Sequence, residues 1–449
     1  MIPTGVTRRQ FVATAAATGA FAFLPGLRRF AKRPPNVLFI LADDMGYGDL
    51  SSFGRPDYKT PVLDRFARDG LRLTSVYTAG AVCTPTRCAW VTGRYPQRLP
   101  IGLVEPLMDG DNSVGLPTGH PTVASLVKAV GYDTSLIGKW HLGFLPEHHP
   151  LAHGFDEFYG VIAGAADYFT HKNQLGELDL HEGMVTSQQQ GYITNLLTDR
   201  AVAYLKKKRS RPFYLSLHYT SPHWPWEGPA DQAWSDSIVA HQLNFRDGGS
   251  PKVYASMVRN LDDSVARVMR ALREGGHEEN TLVVFTSDNG GERWSYNWPM
   301  SESKGSLHEG GIRVPGAIRW PGVIPPGSAS DRPVITMDWT ATILATAGAS
   351  ADPGYPLDGV DLTPLWHGGG PDPSRALFWR TRKEAAVRRG HWKYWRGAAD
   401  GLFDVVGDPG EAANRIGQYP ALATPLKQAW SDWNAEMLPI PPARGRGPG

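Results

Sequence analysis

Residues Asn36-Val37-Leu38-Phe39-Ile40-Leu41-Ala42 run apolar without alternation between Pro35 and Asp43. A strand with one wet face alternates apolar and polar residues, so an unbroken run this short reads as a strand buried on both faces, and such a strand needs helices above and below its sheet. Leu71 to Thr78, Tyr132 to Ile137, Phe213 to Tyr219 and Thr281 to Thr286 read as further strands. Between them, Pro61 to Asp69, Thr122 to Val130 and about Lys252 to Arg273 carry apolar residues at helical spacing. Strand and helix in alternation predict βαβ units, hence an α/β fold with a large, mostly parallel sheet flanked by helices.

Several of these runs end in groups with chemistry. Asp43 and Asp44 follow the first; Lys139 and His141 follow Ile137; Ser221-Pro222-His223 follows Tyr219; Asp288 and Asn289 follow Thr286. Ligands of open α/β sheets bind beyond the carboxyl ends of the strands, so four strands are expected to deliver these groups to one rim. Adjacent aspartates repel unless a cation lies between them. Asp43, Asp44, Asp288 and Asn289 offer only oxygen donors, a set suited to a hard cation such as Ca²⁺.

Past the glycine- and proline-rich stretch Gly368 to Pro373, short strands are predicted at Ala376 to Arg380, Ala385 to Arg388, Trp392 to Trp395 and Gly401 to Val405, with a helix from Leu422 to Met437. The expected division is a signal segment at 1–33, a catalytic domain at 34–367, and a small C-terminal subdomain of antiparallel strands and one helix, with its tail, at 368–449. Formal charge is +2, but six basic residues and no acid precede residue 34, so the remainder is mildly acidic and nothing points to nucleic acid. Thr7-Arg8-Arg9-Gln10-Phe11-Val12, followed by an Ala-rich apolar run to Leu24, resembles a twin-arginine export signal. That apolar run falls short of the roughly 20 residues a bilayer span needs. The expectation is therefore a bacterial protein, periplasmic or secreted, with the twin-arginine machinery as a partner and no permanent membrane anchor.

The chain has two cysteines, Cys83 and Cys88, too close together across a proline for an unstrained bridge. Cys83-Thr84-Pro85-Thr86-Arg87, continued by Thr92-Gly93-Arg94, resembles the signature of type I sulfatases, arylsulfatase-like enzymes of the alkaline phosphatase superfamily, in which the cysteine becomes formylglycine. Gly138-Lys139-Trp140-His141 and the run from Lys304-Gly305 through Glu309-Gly310-Gly311-Ile312-Arg313-Val314-Pro315 resemble further elements of that family, in the family's order.

The resemblance implies hydrolysis of sulfate monoesters, of an aryl sulfate or a sulfated carbohydrate, with a formylglycine hydrate derived from Cys83 as nucleophile. It implies one calcium held by Asp43, Asp44, Asp288, Asn289 and the modified Cys83, and a formylglycine-generating enzyme as partner. Arg87 would hold the aldehyde hydrate and the aspartates, while Lys139 and Lys304 bind sulfate. Asp288 would accept the nucleophile's proton and His223, or alternatively Lys304, would protonate the leaving oxygen. His141 would then take the proton whose loss releases sulfate. Glu309, Gly310 and Arg313 would fix their loop. Superfamily members that cleave phosphodiesters or phosphonates carry histidine at the position of Asn289, which sets that alternative apart; a noncatalytic protein binding sulfated glycans is the alternative if Cys83 stays unmodified. Lys139 and His141, two residues apart in extended chain, are expected on one face. Asp167, Tyr168, His171 and Lys172 are expected at the substrate entrance, with the aromatic loop Gly291 to Ser303 available for stacking. Asp262 and Asp263 read as a solvated helix face or a packing contact.

Overall fold

The computed structural model describes residues 34–241 and 244–441. The expected signal segment, 1–33, lies outside them. Among the described residues no helix is long and apolar enough to cross a membrane.

The main sheet contains β1 (Asn36–Ala42), β2 (Leu71–Tyr77), β3 (Asp133–Gly138), β4 (Glu157–Val161), β5 (Leu180–Glu182), β6 (Val185–Thr186), β7 (Phe213–His218), β8 (Thr281–Ser287), β9 (Arg313–Arg319), β10 (Ser328–Ser330) and β11 (Val334–Ile335). Their order is β10-β2-β9-β8-β1-β7-β3-β4-β5-β6, with β11 also on β2. The centre, β8-β1-β7-β3-β4, is parallel throughout. β9 runs antiparallel to both β8 and β2, and β5 and β6 close the opposite edge antiparallel, so the sheet is mixed with a parallel heart. Every residue of β1 is buried, as its unbroken apolar run requires.

Helices cover both faces. One core joins β1 and β7 to the helices Ile193–Lys206 and Pro251–Glu274; the other joins them to Cys83–Thr92, Val123–Ala129 and Thr336–Ala347. The helix Pro61–Arg68 begins with proline and has no capping side chain of its own. Asp262 of the long helix replaces the cap, accepting from the Val62 and Leu63 amides at 3.1 and 2.8 Å. Asp262 is thus a buried packing contact rather than a solvated one.

The C-terminal part is an antiparallel meander of β12 (Ala376–Arg380), β13 (Ala385–Arg389), β14 (Trp392–Arg396) and β15 (Asp400–Asp404), covered by the helix Pro420–Ala435. Trp379, Trp430 and Trp433 pack in one cluster with Tyr77 and Ile335 of the main sheet, so the two sheets share apolar core. Lys393 of β14, fully buried, adds an ionic tie: its Nζ lies 3.0 Å from Glu309 and 3.1 Å from Glu411.

Candidate active site

Register puts the four strand ends in line. Ala42 pairs with Ser287, Leu41 with His218, and Gly138 with His218. The next residues therefore emerge side by side: the Asp43 amide bonds the Ser221 carbonyl, Asp288 that of Ala42, and Lys139 that of His218. Asp44 has a φ of 61°, a left-handed turn that lets two adjacent aspartates face one site instead of opposite faces of a strand.

Cys83 opens a ten-residue helix that is buried along its whole length and ends at Gly93 in the left-handed conformation. The positive end of that helix dipole therefore lies at Cys83. Its thiol sulfur is 3.8 Å from Asp43 Oδ1. One turn on, Arg87 Nε and Nη2 donate to Asp288 Oδ2 at 3.1 and 2.8 Å, Nη1 donates to the Lys139 carbonyl at 2.9 Å, and Nη2 lies 3.6 Å from Asp43. Lys139 Nζ is 2.7 Å from Asp43 Oδ2 and Lys304 Nζ is 2.7 Å from Asp44 Oδ2. Lys304 is held by backbone on both sides, its own amide on the Gly291 carbonyl and that of Gly305 on the Ala81 carbonyl beside Cys83.

Burial dominates the electrostatics. It pushes the Asp43 carboxyl up to about 8, with Asp288 adding to the rise against Lys139 and Arg87, and it raises Asp44 as well. Asp288 is pulled the other way: burial alone would raise it, but Arg87 and Lys139 hold it down at about 2. The Cys83 thiol is pushed up to about 12 by burial, so it is a neutral, sluggish nucleophile in the folded chain. Lys304 stays charged, Asp44 outweighing its burial.

Asn289 donates from Nδ2 to Asp44 Oδ1 at 2.7 Å and to the Gly290 carbonyl, while its fully buried Oδ1 has no partner. An orphaned carbonyl oxygen beside three carboxylates is the donor set of a hard divalent cation. Ligand atoms of Asp43, Asp44, Cys83 and His223 lie within 4.8 Å of one another. The residues present thus fit a metal ion.

Both histidines are buried, which pushes them well below the usual imidazole range, so they are neutral. His141 Nε2 donates to the Leu107 carbonyl at 2.8 Å, leaving a buried Nδ1 lone pair with no partner. His223 Nδ1 donates to the Trp224 carbonyl at 2.6 Å, and its Nε2 is 3.6 Å from Asp44. Lys139 and His141 do meet at the site, but not through the alternation of extended chain. Gly138 has φ 116° and His141 φ 64°, so the chain turns twice there. A Cβ on Gly138 would lie 1.7 Å from the His218 carbonyl oxygen, and one on Gly164 would lie 2.6 Å from the His141 ring.

A cavity of about 440 Å³ opens over the site, walled by Cys83, His141, His223, Trp224, Glu292 and Lys304. Asp167, Tyr168 and His171 do not line it. They are buried: Asp167 Oδ1 accepts from the Phe169 and Thr170 amides and the Ser235 hydroxyl, and Tyr168 holds the Thr220 and His223 carbonyls. Gln174, farther along the same loop, reaches the cavity instead. From the aromatic loop Glu292 faces the cavity, whereas Trp294 packs against the core and Trp298 is 61% exposed outside it. Sequence reading also passed over His218, the last residue of β7, whose Nδ1 lies 3.3 Å from Arg87. Its place at the end of a rim-forming strand was the available signal.

The sequence model of the Sulfatase family matches residues 35–349. Human arylsulfatase A is 32% identical, over 88% of this chain and 86% of its own. Mouse steryl-sulfatase is 33% identical, over 75% of this chain and 66% of its own, so the chain spans just under two thirds of that relative. The crystal structure of Ps i-CgsB in complex with k-i-k-neocarrahexaose superposes with a TM-score of 0.81 at 32% identity, over 89% of this chain and 93% of the other. With most of the catalytic sheet inside the match and the buried acids at its rim, the chain belongs to the sulfatase family and is a sulfuric ester hydrolase.

Proposed function

We propose that the protein cleaves sulfate monoesters of aryl alcohols or carbohydrates at the cavity over Cys83, using formylglycine made from Cys83 and one Ca²⁺. The carrying observation is the partnerless Asn289 Oδ1 among Asp43, Asp44 and Asp288, at a site where a buried helix begins with Cys83. When present, formylglycine supplies a hydrated oxygen nucleophile, and calcium supplies positive charge at the sulfuryl oxygens. Asp43, Asp44, Asp288 and Asn289 hold the ion, with residue 83 as a further ligand. Arg87 keeps Asp288 ionised and fixed, which suits that carboxylate to accept the nucleophile's proton. Lys139 and Lys304 bind the sulfuryl oxygens, since each is a cation already drawn to a metal-site aspartate. His223 Nε2, or Lys304 Nζ in its place, protonates the leaving oxygen. His141, with its free Nδ1 lone pair, removes the proton whose loss frees sulfate.

On this reading residues 34–367 carry the chemistry and 368–449 form the small subdomain and tail. Residues 1–33 direct twin-arginine export to the periplasm or beyond, and a formylglycine-generating enzyme acts on the chain. Asn289 supports a sulfatase over a phosphonate or phosphodiester hydrolase, because an amide oxygen suits calcium where imidazole would favour zinc or manganese.

The test is peptide mass spectrometry of residue 83 in protein co-expressed with a formylglycine-generating enzyme, paired with assays on aryl sulfate, phosphonate and phosphodiester esters. Conversion to aldehyde with sulfate turnover lost in Cys83→Ala is expected. A residue 83 that stays a thiol, with turnover equal to that of Cys83→Ala, rejects the reading.

A further inference from the structure

An enzyme for anionic esters gains nothing obvious from a carboxylate in its substrate cavity, yet Glu292 stands there beside Lys304 and His223. It is fixed on one side only. Its Oε2 accepts from the Trp224 indole at 3.0 Å and lies 3.7 Å from Lys304 Nζ, while among the described residues none bonds Oε1. Trp224 is itself held, 93% buried against its neighbours, with the Arg246 guanidinium 4.9 Å from its ring centre. The Glu292 side chain keeps 25% of its surface open. The result is a rigid acceptor with free lone pairs, next to the lysine and histidine that face the leaving oxygen in the reading above.

We propose that Glu292 is a specificity-determining residue: it accepts a hydrogen bond from a hydroxyl adjoining the ester oxygen of the leaving group and disfavours a second anionic group at that position. A fixed acceptor left unpaired penalises a leaving group that has no donor to offer, and a carboxylate facing another anion in a half-buried cavity penalises it further. Selectivity of this kind acts on the leaving group and leaves sulfuryl recognition to Lys139 and Lys304. It rests on the sulfatase reading and adds to it the chemistry of the leaving group.

Three aryl sulfates of similar size separate the effects: phenyl sulfate, 2-hydroxyphenyl sulfate and 2-carboxyphenyl sulfate, assayed at pH 7 with full-length protein whose residue 83 is an aldehyde. For each protein, kcat/KM of the two substituted esters is divided by that of phenyl sulfate, and comparing these ratios between variant and wild type cancels intrinsic reactivity. Glu292→Gln, which removes the charge and keeps an acceptor, is expected to raise the carboxyl ratio about tenfold and to spare most of the hydroxyl ratio. Glu292→Ala is expected to lower the hydroxyl ratio about tenfold as well. Ratios that stay within about twofold of wild type in both variants, or three esters that fall in proportion because Lys304 has merely lost a neighbour, overturn the inference. So does a carboxyl ratio that falls in Glu292→Gln. Failure of wild-type, aldehyde-bearing protein to turn over any of the three esters overturns the aryl sulfate reading of the substrate, and this inference with it.

Discussion

Arg87 spends one guanidinium on three kinds of partner: the Asp288 carboxylate, the Lys139 carbonyl and the His218 ring. It is fully buried. Arg87→Met leaves Asp288 as a buried charge without its main partner, and the expected cost is about 3–5 kcal/mol in urea unfolding; a loss below about 1 kcal/mol would mean that Lys139 alone carries Asp288. The two proton donors separate by leaving group. If His223 protonates the departing oxygen, His223→Ala loses far more rate on esters of alkyl alcohols than on nitrophenyl sulfate, because a good leaving group needs little help, whereas Lys304→Ala loses rate on both by weakening sulfate binding. The reverse pattern assigns the acid to Lys304. At this scale the sequence was readable where a residue's neighbours are local. Cys83 and Arg87 are one helical turn apart, and the four strand-end motifs sit where apolar runs stop. Lys139 and His141 arrive as expected but through two left-handed residues, which alternation cannot anticipate.

Helix Pro61–Arg68 shows how an element can depend on a residue 200 positions away. Asp262 closes its N-terminus, so Asp262→Ala should cost about 0.5–2 kcal/mol in thermal or urea unfolding while leaving kcat/KM on an aryl sulfate at the wild-type level. A proportional loss of activity would show that this helix supports the site and not only the fold. The strands and helices read from sequence fall within a residue or two of their observed bounds because each is announced by its own apolar pattern and punctuation; β4, β9 and the helices Ile193–Lys206 and Thr336–Ala347 were not read. Burial by tertiary contact is not announced. Asp167, Tyr168 and His171 look like a polar entrance loop in sequence, yet all three are buried and Tyr168 braces the His223 carbonyl, since only the packed structure tells which side of a loop faces water.

Across the molecule, the two sheets are joined by the Lys393, Glu309 and Glu411 cluster as well as by tryptophans. Burial would raise Glu411, but Lys393 and His308 outweigh it and hold the carboxyl down at about 2. A depressed carboxyl stabilises the fold fully above its unfolded value near 4.5 and stops doing so as pH falls through about 2. Glu411→Gln should therefore melt well below wild type at pH 6, by about 3 kcal/mol, and the gap should narrow steadily as pH falls from about 4.5 toward 2. A pH-independent gap contradicts the ionic origin. Calcium gives a second test at this scale. Adding Ca²⁺ to chelator-treated protein at about a hundredfold over its Kd should stabilise it by about 2.7 kcal/mol, seen as a higher Tm, and Asp44→Ala should not respond. The burial of the helix that begins at Cys83 also sets an order of events. All ten of its residues are inside the folded protein, and its thiol is held neutral there. If the function proposed above holds, an enzyme that reads the residues from Cys83 to Arg87 as a segment of chain cannot reach them after folding, so conversion of Cys83 would have to be finished while the polypeptide is still unfolded, and a molecule that folds first would remain a thiol.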